Sequence, residues 1–213
     1  SGLDPLAAAP DALPTLLPVL QERVGFVRRL TEDLFLAAKL EQKQVLLNED
    51  RARLEALTAA VCSACQAEAA HKGVELRTYT GTPLPVWGDA VRLEQILQNL
   101  VTNAIHYTPS GGRVTVVCAT ENGRACVKVT DTGCGIAPED QGAVFDRYFH
   151  TSADKKHDST GLGLTIAQEL ARLHHGEITL QSEVGRGSTF TLRLPLLNIE
   201  EYSSLRFYRK TRN

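Results

Sequence analysis

Four short patterns in this chain bring together groups that can bind a charged ligand. The first is a row of amides. Asn99 and Asn103 stand one helical turn apart, and at about 100° per residue Arg92, Gln95 and His106 fall on the same side. Asn is a poor helix former. Two of them in mid-helix either make a solvated polar face or aim their amide oxygens at one hydrated cation. Mg²⁺ takes oxygen ligands and keeps several waters, so one Asn carbonyl plus phosphates suffices for it. The second pattern is Asp131-Thr-Gly-Cys-Gly-Ile136, directly after a β-rich run. Either Asp and Gly here serve a tight turn, or the carboxylate receives an exocyclic amine while Gly133 and Gly135 let a flat base approach the backbone.

The third pattern is Phe145-Asp-Arg-Tyr-Phe149, followed by the loop His150–Thr160. The aromatics read as core residues. The loop carries Asp154, Lys155, Lys156, His157 and Asp158, with Ala153 as its one apolar residue. It is either a plain surface loop or a lid over a polyanion. The fourth is Gly161-Leu-Gly-Leu164, opening a helix whose free N–H groups and positive dipole end suit phosphate. No Gly-Lys-Ser/Thr follows, so this is not a P-loop.

The elements that must position these groups follow from periodicity. Pro5, Pro10, Pro14 and Pro18 argue against a long helix before residue 20. From about Gln21 to Gln44, Val24, Val27, Leu30, Leu34 and Ala37 recur at three- and four-residue steps. That helix has no partner in its own segment and must pack elsewhere. A second helix is expected from about Asp50 to Lys72, stopped by Gly73. Val74–Thr80 reads as a strand, and a short strand is expected near Val86. Asp89 is a good N-cap for a helix to about Tyr107. Arg113–Thr120 and Arg124–Thr130 form a hairpin over Glu121-Asn122-Gly123. A short helix from about Pro138 and a helix over about Leu162–His174 follow. A second hairpin, Glu177–Ser182 with Ser188–Leu194, turns at Gly185-Arg186-Gly187. This mixture predicts an α+β two-layer sandwich, with helices on one face of a mixed, mostly antiparallel sheet.

Bulk properties exclude several classes. The 213 residues suit one domain with an appendage, or two small domains. The formal net charge of -2 supplies no field for nucleic acid or acidic lipid, and no apolar run is long enough to span a membrane. Neither nucleic acid nor membrane is expected as a partner of this segment. Five cysteines, an odd number, do not suggest a disulfide scaffold. Cys62 and Cys65 lack a second ligand pair for zinc and read as small apolar residues on one helix face. A reducing, cytoplasmic location is the expectation.

As an ordered set, the four patterns resemble the histidine-kinase branch of the GHKL ATPase superfamily. The resemblance rests on Gln95-Ile-Leu-Gln-Asn-Leu-Val-Thr-Asn-Ala-Ile-His-Tyr-Thr-Pro, Val129-Thr-Asp-Thr-Gly-Cys-Gly-Ile, Val144-Phe-Asp-Arg-Tyr-Phe and Thr160-Gly-Leu-Gly-Leu. It extends over about residues 21–195 and implies the GHKL ATP-binding fold, with ATP and Mg²⁺ as ligands. Asn103 matches the family's Mg²⁺ ligand. Asn99 stands where hydrolytic relatives carry a Glu that activates water. An amide cannot take a proton, which fits transfer to a protein acceptor. These two are the candidate catalytic residues.

By the same resemblance His106 and Tyr107 contact phosphate and flank the nucleotide, Asp131 reads adenine, and Gly133, Gly135 and Ile136 shape the floor of the site. Thr160, Gly161, Leu162, Gly163 and Leu164 form the hinge and phosphate-binding end of the lid. Two positions depart from the pattern: His150 follows Phe149 where Arg or Lys is usual, and Ser159 stands where the last motif often begins with Gly. Arg147, Lys155 or Lys156 are then the candidates to meet phosphate charge.

Leu34-Phe-Leu-Ala-Ala-Lys-Leu-Glu41 resembles the end of the second helix of a dimerisation hairpin. The implied division is residues 1–47 as a hairpin remnant, 48–196 as the ATP-binding catalytic domain and 197–213 as a tail of unassigned role. None of the six histidines has the context of the family's phosphoacceptor, which is expected to lie on a helix outside this chain. The resemblance implies a protein-histidine kinase of a two-component system, homodimeric through its hairpin, with a response regulator as partner. An anchor for the parent protein in the inner membrane is left open. A GHKL serine kinase of anti-sigma-factor type, or a nucleotide-binding signalling module without kinase activity, are the alternatives.

Overall fold

The computed structural model describes residues 13–149 and 160–197. Helix α1 (Leu13–Glu41) comes first, followed by strand β1 (Asp50–Arg53) and helix α2 (Leu54–Lys72). Strands β2 (Glu75–Tyr79) and β3 (Pro85–Gly88) precede helix α3 (Ala90–Tyr107). The hairpin β4 (Arg113–Glu121) and β5 (Arg124–Asp131) follows, then helix α4 (Gly163–Leu173) and the hairpin β6 (Glu177–Glu183) and β7 (Gly187–Pro195).

Five strands form one sheet in the order β2-β4-β5-β7-β6. Only β2 with β4 is parallel; the other three pairings are antiparallel. β1 and β3 form a separate antiparallel pair. Strand alternation aims Val114 and Val116 of β4, Val127 and Val129 of β5, and Phe190 and Leu192 of β7 inward. Leu93, Ile96, Leu97, Leu100 and Ile105 of α3 and Ile166 and Leu170 of α4 meet them in a single core. Each such side chain contributes about 1.5–3 kcal/mol by leaving water. The expected α+β sandwich, with its mostly antiparallel mixed sheet, is therefore the fold.

Caps fall where the residue types favour them. Asp89 accepts from the N–H groups of Val91 and Arg92 and starts α3, a contact worth about 1 kcal/mol. Gly73 ends α2 in a left-handed conformation. The first hairpin closes at Asn122 and Gly123, both at positive φ, as its two-residue turn requires. His174 joins two helices: its Nε2 accepts from the Asp89 N–H at 3.0 Å, and its Nδ1 lies 2.7 Å from the Leu170 carbonyl. Those two contacts select the tautomer with the proton on Nδ1.

Three expectations needed correction. α1 begins at Leu13, about two turns before the expected start. Pro14 lies in the first turn, where N–H groups have no acceptor inside the helix, and Pro18 forfeits one helical bond near the end. Asp50–Arg53 is a strand rather than the start of α2, because it pairs with β3. Residues 138–147 form turns and a bend, with no helix from Pro138.

Cys62 and Cys65 are buried and unbridged. Burial pushes the Cys65 thiol up to about 11, helped by Glu68 and Cys62. Among the described residues no group of three or more His, Cys, Asp or Glu side chains could hold a metal.

Candidate functional site

The site is built where β5 ends. Asp131 is buried, and its Oδ1 accepts the backbone N–H of Gly133 at 2.8 Å and that of Ser188 at 3.2 Å. Burial pushes the Asp131 carboxyl above the usual carboxylate range, with the two N–H donors pulling the other way. Backbone approaches leave no room for side chains beside it. A Cβ on Gly135 would stand 2.1 Å from the Glu183 carbonyl oxygen, and one on Gly187 would stand 2.0 Å from that of Asp131. Both residues adopt positive φ, 68° and 107°, so the positions suit glycine twice over. The loop is seated on the second hairpin, for the Ile136 N–H donates to Ser182 Oγ at 2.8 Å.

Above Asp131 lies a cavity walled by Asn103, Gly135, Ile136, Phe149, Leu164 and Phe190 among others. Apolar walls around one carboxylate suit a flat heterocycle with an amine. The cavity shares Asn103, Tyr107, Val144, Phe149 and Leu164 with a wider polar trough. Asn99, Asn103 and His106 of α3, Thr160, and Gly161 and Gly163 at the start of α4 line this trough. α4 begins without a side-chain cap, leaving its first N–H groups available to an anion.

Each amide of α3 has a distinct setting. Asn99 Nδ2 donates to the Gly163 carbonyl at 2.9 Å and ties α3 to the start of α4. Asn103 belongs to both cavity and trough. The rings of His106 and Tyr107 meet edge-to-face at 5.2 Å. Lys72 closes the end of α3, donating to the carbonyls of Ile105 and His106, where a cation complements the helix dipole.

Most of the residues expected from sequence converge here. Asn99, Asn103, His106, Tyr107, Asp131, Gly135, Ile136, Thr160, Gly161, Gly163 and Leu164 line the cavity or the trough. Gly133 lies beneath Asp131 and braces it. Leu162 is turned away: its side chain is fully buried in the core, because the residue before a helix start faces the sheet here. Arg147 does not line the site either. Its guanidinium pairs with Glu41 of α1 at 2.9 Å. Lys155 and Lys156 lie outside the described residues, as does almost all of the expected lid.

Residues that sequence reasoning missed include Gly187 and Ser188. A glycine opening a strand is a sign of close backbone approach, and that sign was there to read. Arg28 and Arg29 of α1 also line the trough, with no local signal to announce them.

Residues 88–198 match the family described as histidine kinase-, DNA gyrase B-, and HSP90-like ATPase. The chain is similar to the sensor histidine kinase RppB of Synechocystis sp., 35% identical over 192 residues, covering 87% of this chain and 41% of that protein. Among solved structures it is similar to full-length ShkA in complex with AMPPNP, with a TM-score of 0.75 and 28% identity, covering 87% of this chain and 39% of that one. The histidine kinase AdeS of Acinetobacter baumannii aligns with a TM-score of 0.70 and 27% identity, covering 89% of this chain and 87% of that one. The chain thus spans about two fifths of the length of its curated relative.

Proposed function

We propose that this chain, which belongs to the family of histidine kinase-, DNA gyrase B- and HSP90-like ATPases, is the ATP-binding catalytic region of a sensor histidine kinase. The observation that carries the reading is Asp131. Its carboxylate is held by two backbone N–H groups on one oxygen, under an apolar cavity continuous with an amide-lined trough.

In this reading the adenine amine donates to Asp131, between the apolar walls of Ile136, Leu164 and Phe190. Guanine would bring a carbonyl to the same carboxylate and leave both unpaired. The phosphates run along the trough toward the start of α4. Asn103 fits a Mg²⁺ ion that arrives with the nucleotide, since an amide oxygen plus phosphates and water completes its shell. When bound, that ion neutralises charge on the transferring phosphoryl group. Asn99 offers an amide and no base, so the site is suited to transfer rather than to activating water.

The acceptor in this proposal is a histidine on a dimerisation hairpin. The bond from the γ-phosphorus to ADP breaks as a bond to the imidazole nitrogen forms, and an Asp of a response regulator takes the group next. α1 suits the second helix of such a hairpin. Leu36 and Ala37 pack into the catalytic core, while Leu17, Leu20, Val24 and Val27 are exposed at 54%, 58%, 68% and 58%. Steps of three and four residues make these a seam for another helix. In this proposal residues 1–47 are the hairpin segment, 48–196 the catalytic domain and 197–213 a tail of unassigned role. Among the described residues no helix is long and apolar enough to cross a membrane, and a cytoplasmic setting is part of the proposal.

Isothermal titration of the chain with ATP and GTP, with and without Mg²⁺, tests the site. ATP binding that strengthens with Mg²⁺, with GTP much weaker, is expected. Equal binding of the two nucleotides, or none, would overturn the assignment.

A further inference from the structure

A triphosphate needs cations, and the sequence motifs point to Arg147, Lys155 and Lys156. Arg147 is engaged with Glu41 at 2.9 Å. Lys72 is bound to the carbonyl end of α3, and Arg92 donates to Gln95. Among the described residues, the only Lys or Arg side chains lining the cavity and its trough are Arg28 and Arg29, both from α1. The other formally charged side chains lining that space are carboxylates: Glu32, Asp33, Glu68 and Asp131.

The placement of these arginines follows from helical geometry. At about 100° per residue, positions 29, 33, 36, 37 and 40 form one stripe along α1. Its C-terminal part is apolar: Leu36 and Ala37 are buried and Leu40 packs against the core. One and two turns earlier the stripe becomes charged, and there it fronts the trough instead of packing on protein. Two contacts fix α1 in that position. Thr160 Oγ1 donates to Asp33 Oδ2 at 3.4 Å, beside Gly161, and Arg147 pairs with Glu41 at the far end.

We infer that Arg28 and Arg29 are phosphate-binding residues of the nucleotide site, supplied by α1 across the trough from Asn99, Asn103 and the start of α4. The inference rests on the nucleotide reading above. Guanidinium groups suit phosphate because they donate in a planar fork and stay charged at any working pH. Without them the formal charge that the described residues bring to the trough is entirely negative, which repels a polyanion. A consequence is that the affinity for the phosphates depends on where α1 sits, while the base pocket at Asp131 does not.

The test uses the full chain and two ligands, adenosine and ATP–Mg²⁺, measured by calorimetry for wild type, Arg28→Ala/Arg29→Ala and Arg28→Lys/Arg29→Lys. Both arginines are exposed on the helix, and Ala is the better helix former, so melting temperatures should match. The alanine pair should bind ATP at least about tenfold more weakly, as expected for lost charge-assisted bonds, with adenosine unchanged. The lysine pair should recover part of the loss, and the salt dependence of ATP binding should shrink in the alanine pair. ATP binding equal to wild type in the alanine pair, or an equal loss of adenosine, overturns the inference and leaves the nucleotide site standing. A wild-type chain that binds neither ligand takes both down.

Discussion

The backbone N–H of Ser188 donates to Oδ1 of Asp131 at 3.2 Å. The first residues of β7 thereby hold a carboxylate at the end of β5, on the oxygen that also accepts from Gly133. One edge of Asp131 belongs to the fold, which leaves the other for a ligand.

That division makes Asp131→Asn informative. An amide oxygen still accepts both N–H groups, so the variant should fold. Burial raises the Asp131 carboxyl above its ordinary value of 3.8. A carboxyl raised by folding binds its proton more tightly in the folded state, so stability falls as pH rises through the interval above 3.8. At neutral pH the ionised group therefore costs stability, and Asn removes that cost. The melting temperature of the free variant should rise, by about 2–4 °C for each kcal/mol relieved. ATP binding should weaken by about 1.5–3 kcal/mol, the range for bonds to charged groups. Calorimetry giving wild-type affinity would remove Asp131 from the site.

Gly187→Ala and Gly185→Ala form a contrasting pair. Both glycines have positive φ, but an added Cβ at 187 meets the Asp131 carbonyl oxygen at 2.0 Å, while at 185 it meets nothing within 4 Å. Gly185→Ala should cost about 1–2 kcal/mol from backbone conformation alone. Gly187→Ala adds overlap of about 1–3 kcal/mol and should weaken ATP binding by displacing Asp131. Chemical denaturation of the two variants checks this, and equal losses would contradict it.

Asn103→Ala should leave the fold intact and abolish the gain in ATP affinity that Mg²⁺ provides. α3 keeps its apolar stripe, and Ala favours the helix. Titrations at low and millimolar Mg²⁺ check this. A variant that melts lower yet still binds ATP in a Mg²⁺-dependent way would return Asn103 to a plain surface role.

Glu55 sets part of the acid limb of stability. Burial pushes its carboxyl up, but the Leu84 N–H and Arg53 outweigh that and leave it below the ordinary 4.5. A lowered carboxyl contributes stability that is complete above about pH 4.5 and is lost as pH falls through the folded value. Glu55→Gln should be less stable near neutrality, by about 1.5–3 kcal/mol, and its stability should change less with pH below about 5. An unchanged slope of melting temperature against acid pH would contradict it.

What was legible in the sequence was local. Asp89 as a cap, the Asn122-Gly123 turn and the apolar stripe of α3 each declare themselves within a few residues. The ordered motifs located Asp131, Asn103 and the start of α4 for the same reason. What was missed depends on distant partners. β1 is four residues long with three charged side chains, and it is a strand only because β3 lies beside it. Arg147, a phosphate candidate by its motif, pairs with Glu41 of α1, a contact that no local pattern announces. Arg28 and Arg29 carry no motif, and their place on the trough follows from how α1 packs through Leu36 and Ala37. The early start of α1 was hidden by Pro14, which a first turn accepts, and by Pro18, which costs the helix one bond.

Phosphoryl transfer to histidine can be measured in one assay. The chain is incubated with γ-labelled ATP and Mg²⁺, alone and with a separately produced dimerisation hairpin of the parent protein that carries a His followed by an acidic residue. Acid-labile label is expected on the hairpin and none on this chain alone, and the hairpin label should vanish when Asn103 is replaced by Ala. Acid-labile label on this chain by itself, or a hairpin left unlabelled by a chain that binds ATP, would contradict it.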